Sequence, residues 1–387
     1  MFFSIRHYHM APVLSVALCL HTPEAKAKAK AEAEAEPSGA MVHPGILHSQ
    51  AEIDFVRGKL AAKAEPWQSA WQALRSHRWA SLRWKPEAHR DVLRGPSNRP
   101  SVGADELMDD SAAAYTHALC WALTGEKAHA EKVIKILDAY AGTLKTIGHH
   151  DARLLVGMAG IRFVNAAELI KHSDAGWEPD GQERFAVLLR EVLYPVIKDF
   201  YPSANGNWDA SMIQTMLAMG VYLDDREMFQ RAVHHFRDGE GNGCITRYFK
   251  PSGQCQESGR DQRHTQMGIG YLAFASVIAW KQGVDLYGAA DNLLAKGYEY
   301  TARYNLGDDD VPFERYVSFE GRYKHSKISP KARGRLSPIY EIAYHHYHGR
   351  KGLPMPYTLK AVEKKRPERP SGAYTPWCSL MFAGALP

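Results

Sequence analysis

A run of chemically capable side chains opens one apolar segment of this 387-residue chain. Glu257, Arg260, Asp261 and His264 stand close together, and the apolar stretch Tyr271 to Trp280 follows. On a helix, Glu257, Arg260, His264 and Tyr271 fall at i, i+3, i+7 and i+14 and so share one face. An imidazole, with an ordinary pKa of about 6.5, exchanges protons near neutrality. A guanidinium beside it can hold an anion. Such a stripe is either a solvated helix end or the wall of a pocket, and the remainder of the chain favours the pocket.

A second polar cluster, Tyr201 to Asp209, also precedes an apolar helix. Asn205 or Asn207 could act there as a helix N-cap. The pairing of Asn207 with Trp208 allows more: the amide can donate to a carboxylate while the indole stacks on a sugar ring. Two further clusters join cations to a tyrosine. One runs from Asp310 to Tyr316, the other from Lys331 through Arg333 and Arg335 to Tyr340 and Glu341. Arg333 and Arg335 are either surface charges or an anion site before a Pro-started helix. His149, His150, His345, His346 and His348 invite a metal assignment. Only His345 and His348, at i and i+3, could chelate together, and no metal site is expected.

The elements that position these groups are helical. Apolar positions recurring at three and four predict helices over 51–63, 67–78, 105–124, 127–144, 154–172, 182–200, 208–223, 226–238, 264–281, 285–304 and 338–348. Turn signals separate them, as at Gly125, Asp224 and Gly283. Strand patterns are scarce; 245–249 and 317–323 are the candidates. Paired helices at roughly 40 to 50 residues per pair imply an all-α fold, an incomplete α/α toroid with few short strands. Inner helices of a toroid present their starts to one mouth, which is where Glu257 to His264 would fall.

Composition sets the outer bounds. Hydrophobic residues make up 45% and charged residues 24%, ordinary for a globular protein of one or two domains. The net charge of +5 suits an acidic partner. It does not suggest nucleic acid, because no long basic stripe is present beyond Lys360 to Arg369, which reads as a solvated tail. Five scattered Cys show no metal spacing; Cys244 and Cys255 could pair in an exported protein. Residues 1–40 read as a signal peptide or a low-complexity tail. Their apolar run, Ala11 to Leu20, is too short to span a bilayer. The expectation is a secreted or periplasmic protein with a toroid over 41–355 and a C-terminal tail over 356–387 that packs on it or extends.

Several segments together resemble polysaccharide lyase family 38 and the wider alginate-lyase superfamily. They are 43–48 (His-Pro-Gly-Ile-Leu-His), Glu65 to Trp67 with Trp71, 157–169, 205–209 (Asn-Gly-Asn-Trp-Asp), 256–268, Val311 to Phe313 with Tyr316, and 333–341. The resemblance spans roughly 43 to 350. It implies a toroid that cleaves a uronic-acid polysaccharide, alginate or glucuronan, by β-elimination at C5 and O4, with no cofactor. It also implies His264 as base, Tyr316 or Tyr340 as acid, and Asn207 with an Arg on the substrate carboxylate. Arg260, Arg333 and Arg335 are the candidates for that Arg, with Trp208 and Glu257 at the substrate. Arg263 and Arg315 depart from the family pattern. Two other readings remain: a uronide hydrolase using Glu257 and Asp261, and a non-catalytic glycan-binding helical module. The sequence leaves the oligomeric state undetermined.

Overall fold

The computed structural model describes residues 39–384, and the architecture is built on four long helices whose sides are almost wholly buried. In chain order the elements are α1 (Gln50–Ala61), α2 (Trp67–Ser76), β1 (Asp91–Arg94), β2 (Ser101–Val102), α3 (Ala104–Thr124), α4 (Lys127–Thr143) and β3 (Thr146–Gly148). There follow α5 (Ala152–Lys171), α6 (Pro179–Leu188), α7 (Tyr194–Ile197), α8 (Gly206–Tyr222), α9 (Arg226–Asp238), α10 (Ile245–Tyr248), α11 (Gln262–Lys281) and α12 (Ala289–Asn305). The last are β4 (Tyr316–Val317), β5 (Lys324–His325), α13 (Tyr340–Tyr344), α14 (Pro356–Lys365) and α15 (Cys378–Met381). A π-helical stretch, Leu189–Leu193, joins α6 to α7. The signal-peptide reading and Cys19 fall outside the described residues, apart from residues 39 and 40.

Helices α3, α5, α8 and α11 form the inner wall of the expected α/α toroid, and α4, α9 and α12 pack on the outside. Small residues let the inner helices approach. A Cβ on Gly157 would lie 2.3 Å from Ser211 Oγ, and one on Gly160 would lie 2.6 Å from Thr215 Cγ2. Gln214 Nε2 and Thr215 Oγ1 both donate to the Gly157 carbonyl, each at 2.9 Å. These contacts set α5 and α8 side by side and parallel, so both begin at the same end of the ring.

Polar caps start the helices where the chain turns. Ser49 and Glu52 make a reciprocal capping box at α1. Asp225 accepts from the Met228 N–H at α9, and Asp261 from the His264 N–H at α11. Gly125 ends α3 in the left-handed region at φ 71°, its N–H bonded to the Trp121 carbonyl.

The tail from 356 packs on the folded body, the first of its two expected dispositions, while Lys360, Lys364 and Arg369 stay exposed and Glu368 does not. Helix α14 buries Thr358, Ala361 and Val362, and Glu368 is buried beyond it. Further on, Trp377 Nε1 donates to Thr116 Oγ1 at 2.8 Å. The fully buried Arg162 donates to the carbonyls of Gly372 and of Tyr374, the latter at 2.9 Å. The basic side chains of α14 lie on its outer face, while its apolar stripe docks on α12 and α13.

Two small sheets complete the described fold. β1 pairs antiparallel with β2 and parallel with β3, in register Val92 to Ile147. β4 pairs antiparallel with β5, Tyr316 opposite His325. The expected strand at 245–249 is instead the helical turn α10. Among the described residues no helix is long and apolar enough to cross a membrane.

Candidate active site

The starts of α5, α8 and α11 converge at one mouth. The α8 start is stitched to the turn before α11 by backbone donors: Gly206 N–H to Gln256 Oε1 at 2.9 Å and Asn207 N–H to Glu257 Oε2 at 3.1 Å. Trp208 meets His150 of the α5 start edge-on, ring centroids 5.5 Å apart, and Tyr201 at 5.8 Å. Partial positive charge at the helix starts favours an anion at such a mouth.

His264 sits in the first turn of α11 with its side chain 29% exposed. Its Nδ1 is 2.7 Å from Asp261 Oδ2, and the same carboxylate takes the His264 backbone N–H at 2.8 Å through Oδ1. Burial pushes the Asp261 carboxyl up, but the hydrogen bonds from His264 outweigh it and hold the group at about 2. An ionised Asp261 fixes the proton on Nδ1 and leaves Nε2 as the acceptor facing outward. This is how a histidine is arranged to take a proton from something that enters the mouth.

Asn207 is 0% exposed, and neither its Oδ1 nor its Nδ2 has a hydrogen-bond partner. Buried amides are nearly always bonded, and leaving both ends bare costs stability. Glu257 lies behind it, wholly buried. Its Oε2 accepts from Asn207 N–H and, at 3.0 Å, from the Tyr248 hydroxyl; its Oε1 accepts from Arg260 Nη1 at 2.8 Å. Burial raises the Glu257 pKa against the pull of Arg260 and His264. With both oxygens committed, Glu257 orients Asn207 and Arg260 rather than touching a ligand, which corrects its expected place at the substrate. Arg260 keeps 30% of its side chain exposed and faces the same opening.

The expected stripe on one helix does not form as drawn. Glu257 and Arg260 lie in the turn before α11, because Asp261 caps the helix. Tyr271 is buried, donating to the Ala373 carbonyl at 2.6 Å. The candidate acids differ from expectation as well. Tyr340 is 2% exposed and donates to Gln266 Oε1 at 3.0 Å, inside the core. Tyr316 is 5% exposed, donates to the Arg247 carbonyl and borders a cavity of about 400 Å³ with Lys250 and Phe319. Burial pushes both phenols up. Arg333 is spent on its own neighbourhood: Nε donates to the Tyr304 carbonyl at 2.8 Å, Nη1 pairs with Asp309 at 2.5 Å, and the guanidinium stacks 4.0 Å over the Tyr304 ring. Arg335 is exposed. The structure therefore brings together His264, Asn207, Trp208, Arg260 and Glu257, and leaves Tyr340 and Arg333 in other contacts.

The metal candidates disperse. His345 pairs with Glu341 at 2.9 Å, and His348 Nδ1 lies 3.1 Å from the Leu353 carbonyl. Cys244 and Cys255 are both free and buried.

Much of the rim is made of residues that carry no substrate role in the sequence reading, His150 standing there only as a metal candidate and Tyr201 only as the start of the Asn207 segment. His150, Arg153 and Tyr201 line its α5 side, Arg153 lying 5.1 Å over the Tyr201 ring. The β4–β5 hairpin brings Arg322, beside the Tyr201 hydroxyl, and His325, packed on Gly259. Tyr323 follows Arg322 on the same hairpin. Tyr201 was legible in principle, because it opens the Asn207 segment; the hairpin residues carry no local signal of their destination.

The family profile described as Alginate lyase matches residues 57–311. The chain belongs to the alginate lyase family. It is a polysaccharide lyase of uronic-acid polymers. Solved alginate lyases share the fold. One from Bacteroides ovatus has a TM-score of 0.58 at 14% identity, covering 88% of this chain and 100% of its own. Alginate lyase A1-III from Sphingomonas species A1 has a TM-score of 0.63 at 13% identity, with coverage of 87% and 97%. A variant of A1-III complexed with tetrasaccharide gives 0.63 at 14% identity, with coverage of 87% and 96%. No curated protein sequence matches.

Proposed function

We propose that this lyase cleaves alginate or glucuronan by β-elimination, with His264 as the base. The observation that carries the reading is the bare, buried Asn207 amide, its backbone tied to Glu257 in the turn that leads to His264 and its Asp261 partner. Elimination removes the proton on C5 of a uronate, next to its carboxylate, and expels the oxygen on C4. The carboxylate must be gripped by donors so that charge developing on it is stabilised. Asn207 Nδ2 and the Arg260 guanidinium supply that grip. His264 Nε2 takes the C5 proton, and Asp261 stabilises the imidazolium that forms.

The leaving oxygen needs a proton from a phenol, which holds its proton until an alkoxide develops. Tyr201 and Tyr323, on the rim and flanked by Arg153 and Arg322, are better placed for this than Tyr316 or Tyr340, whose hydroxyls serve carbonyl and amide acceptors. Trp208 provides a flat apolar face for a neighbouring sugar. A polymeric substrate is met outside the cell membrane, which is where the signal-peptide reading of residues 1–40 would send the chain.

The hydrolase reading is weaker on this geometry. A general acid must be protonated at working pH, and Asp261 at about 2 is ionised. Both Glu257 oxygens are already committed, to the Asn207 N–H, the Tyr248 hydroxyl and Arg260. The test is an ultraviolet assay for the conjugated C4–C5 double bond on poly-mannuronate, poly-guluronate and glucuronan. His264→Ala is expected to retain its thermal unfolding profile and lose at least about a hundredfold in rate. Undiminished elimination by His264→Ala on every polymer would refute the assignment.

A further inference from the structure

A second polar cluster lies at the other end of α5, away from the mouth. Glu168, in the last turn of α5, is 1% exposed. Its Oε1 takes the Gly45 N–H at 3.1 Å and lies 2.8 Å from His43 Nδ1. Its Oε2 has no hydrogen-bond partner. At 3.6 Å from that oxygen stands His172 Nε2, which is also buried and without a hydrogen-bond partner. On the outer side, His43 Nε2 lies 3.1 Å from Asp224 Oδ1. Asp224 occupies the turn between α8 and α9 and is exposed.

Two features set this cluster apart from an ordinary ion pair. The ion-pair partners of Glu168 among the described residues are both imidazoles; no lysine or arginine pairs with it. And two donor atoms, a carboxylate oxygen and an imidazole nitrogen, face each other bare in a buried place, where unmet lone pairs are costly. One donor atom from each of His43, Glu168 and His172 lies within 4.8 Å of the others. Ligands around a tetrahedral zinc ion at about 2.0–2.1 Å are separated by about 3.3 Å. The separations, 2.8 Å from His43 Nδ1 to Glu168 Oε1 and 3.6 Å from His172 Nε2 to Glu168 Oε2, lie on either side of that edge, one imidazole to each carboxylate oxygen.

We propose that His43, Glu168 and His172 bind a divalent transition metal ion such as zinc, with Asp224 orienting His43 from the open side. Two imidazoles and one carboxylate are the donor set that zinc accepts and that calcium and magnesium, which prefer all-oxygen shells, do not. The carboxylate on the far nitrogen of His43 is the arrangement that fixes a ligating histidine. The rings of His43 and His172 lie parallel with centroids 4.2 Å apart, so one must tilt to aim both lone pairs at a single ion. His172, at the C-cap of α5 and without a side-chain hydrogen bond, is the ring that can turn. The bound ion would join three segments distant in sequence: the strap around His43, the end of α5 and the α8–α9 turn. Its role is to lock the strap, not to enter the chemistry at the mouth.

The experiment uses the full chain, stripped with chelator and titrated with zinc by calorimetry. Thermal unfolding is followed in parallel, and cobalt serves as an optical probe. Expected are one zinc per chain, a rise in Tm with zinc, and cobalt ligand-field bands of four-coordinate intensity. His43 and Glu168 hold backbone in place, so their substitution could unsettle the fold. His172→Gln is therefore the decisive variant. It should leave the metal-free Tm and the elimination rate unchanged while weakening zinc binding about tenfold or more and abolishing the zinc-dependent rise in Tm. Absence of stoichiometric binding to the wild-type chain would overturn the proposal, as would zinc affinity unaltered in His172→Gln.

Discussion

Asn207 shows how function can be read from an energetic defect. A wholly buried amide with both ends bare lowers the stability of the free enzyme, since each unmet polar group costs about 1–3 kcal/mol. Removing it should relieve that cost. Asn207→Ala is therefore expected to unfold at the same temperature as the wild type or higher, while its elimination rate falls about a hundredfold or more, as for loss of a donor that acts on developing charge. Thermal unfolding and initial rates on one preparation check this. A residue that only held the fold would lower both together. Asp261 is the counterpart: it caps α11 with one oxygen and orients His264 with the other, so its removal would confound stability with activity.

At the scale of elements, the mouth depends on Tyr248 of α10, wedged between α8 and α11. A Cβ on Gly268 would lie 1.9 Å from the Tyr248 hydroxyl, and one on Gly206 would lie 2.2 Å from its ring. That hydroxyl donates to Glu257, which holds Asn207 and Arg260. Gly268→Ala should push Tyr248 off Glu257, destabilise the fold by about 1–3 kcal/mol as overpacking does, and lower the rate at the mouth although no substrate-facing side chain has changed. Calorimetric unfolding with the ultraviolet assay measures both; a variant matching wild type in each would show that the wedge is not needed. The long helices were legible because their apolar periodicity is long and starts such as those of α9 and α11 carry the caps Asp225 and Asp261. The strands were not, because β1 to β5 are two to four residues each and owe their pairing to distant segments. Ile245 to Phe249 misled for a related reason: β-branched and aromatic side chains suit a strand, but here Ile245 and Tyr248 bury themselves from a single helical turn. Of the site, the residues next to helix starts were readable. Tyr340, Arg333 and the hairpin carrying Arg322 and Tyr323 were not, since burial and loop destination are set by tertiary contacts that no local pattern encodes.

Across the whole molecule, the ring has two chemically different ends, and the C-terminal segment seals its wall. The mouth gathers helix starts and cations for an anionic polymer, while the opposite end gathers helix ends around Glu168. Between them runs the segment beyond α14, in which Glu368 is buried and accepts from the Ser379 N–H at 2.7 Å and from the Ser379 hydroxyl. Burial pushes its pKa from 4.5 to about 7, the bonds from Ser379 only partly opposing it. Below about 4.5 the group is neutral whether the chain is folded or not, and above about 7 it is ionised in both states. Between those limits the folded chain retains a proton that the unfolded chain has released. Stability therefore falls as pH rises through that window and levels off above it. Glu368→Gln keeps an acceptor for Ser379 but cannot ionise. The Tm of the variant minus that of the wild type is expected to grow from about pH 5 to about pH 7 and then to stay constant. Parallel Tm curves across that range would mean that Glu368 is ionised at the same pH in both states and that its burial does not govern the docking of the C-terminal segment.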